Sequence, residues 1–356
     1  MSIAQDVAPS LVRGVARPVA HPVPQQSTER ISQPSTQPIS QPISQPISQP
    51  IAGPTAASSA LPWGRRYVTV RPDHFRIDYR INPYMDLDDQ PDPGRAMSQW
   101  VGLVSTIERL GGTVEIVPQR PDAPDMVYAM NLGLGLVRPD GGSHVVLSHM
   151  RYAERRMETL SAQPWFERTG RSTSYVGRDG VGAHLEAGDV FAWGDALVAG
   201  YGPRTEALAL KHLATDLQVR VRGVRITHPA MYHLDLAFCP LDERHAMVAP
   251  GAFDDASASA LLELVPEPLL LTDEEALTTF CANSIVVGRT VVMPSGAPVR
   301  VVAQLREWGF DVVEVEVDEF HKGGGSVRCL TNPVDVVLGR DVPVVPGGEV
   351  VLPPVS

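Results

Sequence analysis

Near the C-terminal end of the chain, three consecutive glycines, Gly323, Gly324 and Gly325, precede the cysteine at 329 in the run HKGGGSVRCLTNPV. A thiol attacks as its thiolate, and a free cysteine is only about 3% ionised at neutral pH, so a catalytic one needs cationic help. The partners such a nucleophile requires are present elsewhere. His233 and Asp235 alternate in MYHLDLAF, and Glu186 and Asp189 lie in HLEAGDVFAW. Cys329, His233 and Glu186 thus supply a nucleophile, a base and an orienting carboxylate.

Blander explanations compete with each of these. A lone cysteine commonly serves as a small buried hydrophobe. A glycine triplet serves as a connector, as a phosphate-cradling turn, or where backbones must approach closely. The phosphate reading needs a strand before the turn and a helix after it, whereas Pro333 forbids a helix of any length after SVRCLTN. In MYHLDLAF, strand alternation puts His233, Asp235 and Ala237 on one face and Leu234, Leu236 and Phe238 on the other. A histidine and an aspartate side by side, opposite an apolar face, want water, a ligand or a reaction. Asp189 reads equally well as an Asx-type turn helped by Gly188.

The elements that must position these residues recur along the chain. In GRAMSQWVGLVSTIERLGGTVEIVP, Trp100, Val101, Val104, Ile107 and Leu110 have helical spacing, Gly111 and Gly112 stop the helix, and TVEIV alternates as a strand. PVRVVAQLREWGFDVVEVEV repeats the pattern with Val302, Leu305 and Trp308, then Gly309, then DVVEVEV. RTEALALKHLATDLQVRVRGVRI is a third copy, and AERRMETLSAQPWFERTGRSTSYV and DDASASALLELVPEPLLLT are weaker ones. Apolar segments that read as strand pairs lie between them, one with Gly288-Arg289 as a tight hairpin turn. The last pair is complete only if a strand comes from RRYVTVRPDHFRIDYRINP at residues 65–83. The expected architecture is α/β, with five strand-strand-helix-strand modules in one closed domain. The start of each strand pair should then face a shared centre, and those starts carry Asp125 and Asn131, Glu186 and Asp189, His233 and Asp235, Asn283, and Cys329.

Composition bounds the rest. The chain has 356 residues, a formal net charge of -11 and 43% hydrophobic content, a soluble globular composition without the basic balance of a nucleic-acid binder. Cys239, Cys281 and Cys329 are odd in number and widely spaced, indicating neither a disulfide framework nor a metal site. Neither a secretory leader nor a run of transmembrane length is evident, so a cytoplasmic location is expected. Residues 1–60 are expected to form a disordered tail, because ISQPSTQPISQPISQPISQPIAGP places proline at every fourth position among polar residues. Residues 61–356 form the expected catalytic domain.

The motifs HFRIDYRINPYMD, PDMVYAMN, RYAERRMET, LEAGDVF, GYGPRT, YHLDLAFCPLD and HKGGGSVRCLTNP, in that order, resemble the dimethylarginine dimethylaminohydrolase, arginine deiminase and amidinotransferase family of guanidine-modifying enzymes. The resemblance covers residues 64–335. It implies the pentein fold, a pseudo-fivefold α/β propeller that agrees with the repeat count. It also implies a small guanidino substrate, no cofactor or metal, and roles for individual residues. Cys329 matches the nucleophile that forms a covalent amidino adduct, His233 the acid and base, and Glu186 the carboxylate that orients it. Asp125 and Asp235 resemble the carboxylates that grip the guanidinium. Arg155 and Arg204 match arginines that receive the substrate's α-carboxylate.

Near positions 130 and 131, members specific for methylated arginine or deiminating arginine tend to be acidic. This chain has Met130 and Asn131, which looks more like members that act on unmethylated arginine and carry it past citrulline to ornithine. The expected activity is hydrolysis of a guanidino C–N bond of arginine or a methylated arginine. The alternatives are amidino transfer to an amine and guanidine binding without catalysis. Neither a nucleic acid nor a membrane is an expected partner, and a homodimer is left open.

Overall fold

Asp92 caps the helix Pro93–Arg109 by accepting from the amide of Arg95 at 2.6 Å, and Pro93 sits in the first turn, where its missing N–H costs nothing. Ala96, Trp100, Leu103 and Ile107 form its buried face. Val101, expected on that face, is 49% exposed, because the stripe runs through 96, 100, 103 and 107 and turns position 101 outward. Gly111 then takes a φ of +84°, and the strand Thr113–Val117 pairs in parallel with Arg66–Val70.

The computed structural model describes residues 59–178 and 181–354. The tail expected over residues 1–60 therefore lies outside the described residues up to position 58. Among the described residues the same strand-helix-strand crossover occurs five times, each completed by an antiparallel strand. Gly133–Val137 pairs antiparallel with Ser143–Leu147, and after the helix Arg156–Arg168 the strand Ser172–Tyr175 joins in parallel. Val190–Trp193, Ala196–Tyr201, the helix Ala207–Leu217 and Arg220–Arg225 repeat this order. So do Phe238–Pro240, His245–Val248, the helix Asp255–Leu264 and Glu267–Leu270. Ile285–Val287, Thr290–Pro294, the helix Val299–Glu307 and Asp311–Val315 follow, with Gly288 at φ +71° in the two-residue hairpin turn.

The remaining sheet is closed by two stretches far apart in the chain. Asn332–Pro333, just past Cys329, pairs antiparallel with Arg66–Val70. Asp335 fastens this junction by accepting from the amides of Gly64 and Arg65 at 3.0 and 2.7 Å. Two later strands, Val336–Val337 and Glu349–Val351, extend the sheets of Gly133–Val137 and Arg220–Arg225. The fold is mixed α/β, and no helix among the described residues is long and apolar enough to cross a membrane.

One local expectation is corrected. MYHLDLAF is not a strand from its start, because Leu234–Leu236 is a 3₁₀ turn and pairing begins only at Phe238. Local bonds win there: the Leu236 amide reaches the His233 carbonyl at 3.2 Å, and the Leu234 amide is held by Asp189 at 2.9 Å. Similar turns, Pro124–Val127, Ala129–Leu132 and Ala187–Asp189, precede the hairpins that follow Asp125, Asn131 and Glu186.

Candidate active site

The glycine triplet is where the loop that carries Cys329 touches its surroundings. A Cβ on Gly323 would stand 2.0 Å from the Tyr128 hydroxyl, and one on Gly325 would stand 2.4 Å from the Tyr128 ring. Gly324 has a φ of +88°, and its carbonyl accepts from the Tyr232 hydroxyl at 2.6 Å. Tyr128 lies between Asp125 and Asn131, and Tyr232 precedes His233. The triplet is therefore the close-approach answer among those open from sequence, since side chains here would push the loop off both tyrosines. The Met130 amide also bonds the Cys329 carbonyl at 3.0 Å, and Asn332 bonds the carbonyls of Ala129 and Gly133 at 3.1 and 2.7 Å.

Cys329 is buried, with its sulfur 3.5 Å from Oδ2 of Asp235. Burial pushes the thiol well above its ordinary pKa, and the Asp235 charge pushes it further. Oδ2 of Asp235 and Nδ1 of His233 lie 3.1 and 3.4 Å from where a Cβ of Gly188 would be, and Oδ1 of Asn131 is 3.1 Å from the same point. Carboxylate, imidazole and amide thus face one small volume beside Gly188, with the sulfur against the same carboxylate, and the Gly188 amide donates to Oδ1 of Asn131 at 2.9 Å.

His233 points its other nitrogen, Nε2, at Oε2 of Glu186, 2.7 Å away. The bond assigns the proton to Nε2 and leaves Nδ1 facing the Asp235 side. Burial alone would raise Glu186, but the Arg204 guanidinium and the His233 hydrogen bond outweigh it and hold the carboxyl below its usual range. The Arg151 amide donates to Oε1 at 2.9 Å.

The carboxylates of Asp125 and Asp235 are in the opposite condition. Oδ1 of Asp125 and Oδ1 of Asp235 are buried, with no hydrogen-bond partner among the described residues. Burial pushes Asp125 up to about 6, and it raises Asp235 as well. Two buried, under-partnered carboxyls are costly unless a cation joins them.

Both arginines are buried and engaged by protein groups. Arg155 makes a two-pronged bond to Glu158, with Nε to Oε1 at 2.8 Å and a terminal nitrogen to Oε2 at 2.9 Å. It also reaches the Asp125 carbonyl at 3.3 Å. Two of its three nitrogens are thus committed inside the protein, beside Asp125. Arg204 lies between the rings of Tyr152 and Tyr232, at 4.7 and 4.3 Å, and bonds Glu186 at 3.3 Å and the Ile81 carbonyl at 3.0 Å. Asp189 is the turn residue it resembled. It accepts from Thr205 at 2.6 Å and from the Leu234 amide, and burial pushes it up to about 7.

Sequence reasoning passed over Tyr128, Tyr232 and Glu158. The tyrosines carried no signal beyond adjacency to polar site residues. Glu158 did carry one, since an acid three residues after an arginine on a helix faces it.

The family model for eukaryotic N,N-dimethylarginine dimethylhydrolase matches residues 71–336. The chain belongs to this family. It is 34% identical over 273 residues to the N(G),N(G)-dimethylarginine dimethylaminohydrolase of Mycobacterium tuberculosis, covering 76% of this chain and 86% of that protein. It is 33% identical to the bifunctional arginine dihydrolase/ornithine cyclodeaminase AgrE of a Nostoc species, but there the match spans only 37% of the relative's length. Among solved structures, the N-terminal domain of ArgZ, a cyanobacterial arginine dihydrolase, superposes with a TM-score of 0.70 at 32% identity, covering 76% of this chain and 98% of that domain. Members of the dimethylarginine dimethylhydrolase family are thus similar to this chain across both the hairpin turns and the glycine loop that build the site.

Proposed function

We propose that the chain is an amidine hydrolase that opens a C–N bond of the guanidino group of free arginine through a covalent Cys329 adduct. The observation that carries this reading is the pair of buried carboxylate oxygens, Asp125 Oδ1 and Asp235 Oδ1, left without partners among the described residues, with the Cys329 thiol 3.5 Å from the second carboxylate. A planar cation supplies the missing donors to both, and its charge reverses the effect that keeps Cys329 protonated. The related ArgZ domain has been captured covalently bound to a reaction intermediate, which supports an adduct here.

The steps follow from the geometry. The guanidinium lies flat between Asp125 and Asp235. The Cys329 proton passes to Nδ1 of His233, and the sulfur adds to the guanidinium carbon. His233 returns that proton to the departing nitrogen, which leaves as ammonia, while Glu186 holds the imidazole. Water then attacks the S-amidino carbon, giving one proton to His233, and the C–S bond breaks to release citrulline and the thiol. A second round on the carbamoyl group would yield ornithine, carbon dioxide and ammonia.

Arg204 is the arginine assigned to the α-carboxylate, and Arg155 is assigned to Asp125. Asn131 fills with a neutral amide the place where a second charge would favour a methylated substrate. The five sheets are read as blades of a pseudo-fivefold propeller, the pentein arrangement, with the catalytic domain beginning near residue 61. Three free, buried cysteines support a reducing compartment such as the cytoplasm.

The test is incubation with arginine and its mono- and dimethylated forms, with and without an amine acceptor, followed by product mass analysis. Ammonia with citrulline or ornithine from arginine supports the reading. Release of dimethylamine alone would move the substrate to dimethylarginine, and acceptor-dependent turnover would make it an amidinotransferase.

A further inference from the structure

Asn283 lies in the turn before the strand Ile285–Val287, buried at 0% exposure, and its side chain joins the Cys329 loop to Asp235. Its Oδ1 accepts from the Cys329 amide at 3.1 Å and the Ser326 amide at 3.2 Å. Its Nδ2 donates to the Asp235 carbonyl at 3.0 Å and to Sγ of Cys329 at 3.1 Å. Its own carbonyl accepts from the Arg328 amide at 3.1 Å.

We propose that Asn283 is a catalytic residue of this site, which clamps the Cys329 loop by its amide oxygen and stabilises the thiolate by its amide N–H. The proposal rests on the reading of Cys329 as nucleophile. The amide orientation is fixed by its surroundings: flipped, oxygen would face a carbonyl and a sulfur, and nitrogen would face two N–H donors. Both donors and both acceptor positions are filled, which a serine or an aspartate cannot reproduce.

The sulfur needs such a donor twice. It becomes an anion when its proton leaves for His233, and again when the C–S bond breaks after water attack. On one side it faces the Asp235 carboxylate, which repels that charge. The Asn283 N–H is aimed at it from another, and a hydrogen bond to an anion is about twice as strong as one between neutral groups.

The turn that presents Asn283 is itself held against its preference. Phe280, whose carbonyl accepts from the Asn283 amide at 2.8 Å, has a φ of +51°. A bulky side chain rarely adopts that conformation, and stacking on His321, with centroids 4.3 Å apart, keeps it there.

Asn283→Asp keeps the size and the two acceptor bonds but removes both donors, and Asn283→Ala removes everything. The readout is the pH midpoint of Cys329 alkylation by iodoacetamide, followed on the Cys329 peptide by mass so that Cys239 and Cys281 do not interfere. Both substitutions are expected to raise the midpoint by about one to two pH units. They should lower kcat for arginine at least about tenfold, with arginine binding retained when the substitutions are placed in a Cys329→Ser background. An unchanged midpoint in either folded variant overturns the proposal, whatever its melting temperature, because a purely structural clamp would lower melting and leave the midpoint where it is.

If neither variant folds, the wild-type enzyme decides. The side-chain amide resonance of Asn283 must shift with the titration of Cys329 and lose that shift in Cys329→Ser, and an indifferent resonance overturns the proposal. Failure of the underlying reading is seen separately, as arginine turnover by Cys329→Ser.

Discussion

The hydroxyl of Tyr232 donates to the carbonyl of Gly324 at 2.6 Å, tying the residue beside His233 directly to the loop that carries Cys329. Tyr128 makes the matching link from the Asp125 side, its hydroxyl donating to the Phe320 carbonyl at 2.7 Å. Two tyrosines and three glycines thus hold the turns that carry Asp125 and His233 in register with the Cys329 loop.

That register is sensitive to volume. Gly325→Ala would place a methyl 2.4 Å from the Tyr128 ring. We expect a loss of about 1–3 kcal/mol in stability, the usual cost of overpacking. Activity should fall with it because the Cys329 loop is displaced. Denaturant melts and arginine turnover of the same variant check both.

Cys329→Ser should abolish turnover, by about 10⁴-fold or more, while leaving arginine binding intact. Intact-protein mass spectrometry during turnover should show an adduct on the wild type and none on the variant. Undiminished activity would remove Cys329 from the mechanism.

Glu186→Gln keeps the shape of the carboxyl but not its charge. Loss of the anion that accepts from Nε2 of His233 should lower kcat by about 100-fold or more with a smaller change in KM, as when other catalytic histidines lose their carboxylate. Steady-state kinetics distinguish this from loss of substrate binding.

Asp125 links stability to pH. Its carboxyl is pushed up from 3.8 to about 6 by burial. The native state therefore binds more protons than the unfolded state between those values. Stability contributed by the neutral acid is lost as pH rises through that window, by about 3 kcal/mol as an upper figure. Asp125→Asn should consequently melt higher than wild type at pH 8 and show little gain at pH 4. In a Cys329→Ser background, arginine should raise the melting temperature more at pH 8 than at pH 5 when Asp125 is present. With asparagine at 125 that pH-dependent gain should disappear.

Glu158→Ala leaves the Arg155 guanidinium buried without its two-pronged partner. A destabilisation of about 3–5 kcal/mol is expected. Arg155→Ala, which removes the guanidinium beside Asp125 while Arg204 remains, should weaken arginine binding through Asp125. Retained sensitivity to removal of the substrate's α-carboxylate would then agree with Arg204 as its receptor. A variant that binds arginine and its decarboxylated analogue equally would assign that role to Arg155 instead.

The module order was legible because helix and strand periods differ, and because glycine stops such as Gly111 and Gly309 punctuate them. Cys329, His233, Glu186, Asp125 and Asp235 could be listed as chemistry-bearing because each stands at a module start. The strand assigned to MYHLDLAF was wrong at its beginning for a nonlocal reason. Asp189, 45 positions earlier, captures the Leu234 amide and favours a turn. Val101 was misplaced because several registers of a 3.6-residue stripe fit one apolar sequence, and only packing selects among them.

The sequence by itself determined which side chains exist to do chemistry and which alternating segments must become strands, because periodicity and residue type are local properties. Only the tertiary structure decided what those groups do to one another. It spent Arg155 on Glu158, left oxygens of Asp125 and Asp235 unpaired, and laid the Asn283 amide against the Cys329 sulfur. Each of these depends on angstrom distances between residues far apart in the chain, and burial, which no local pattern reports, sets their energetic weight.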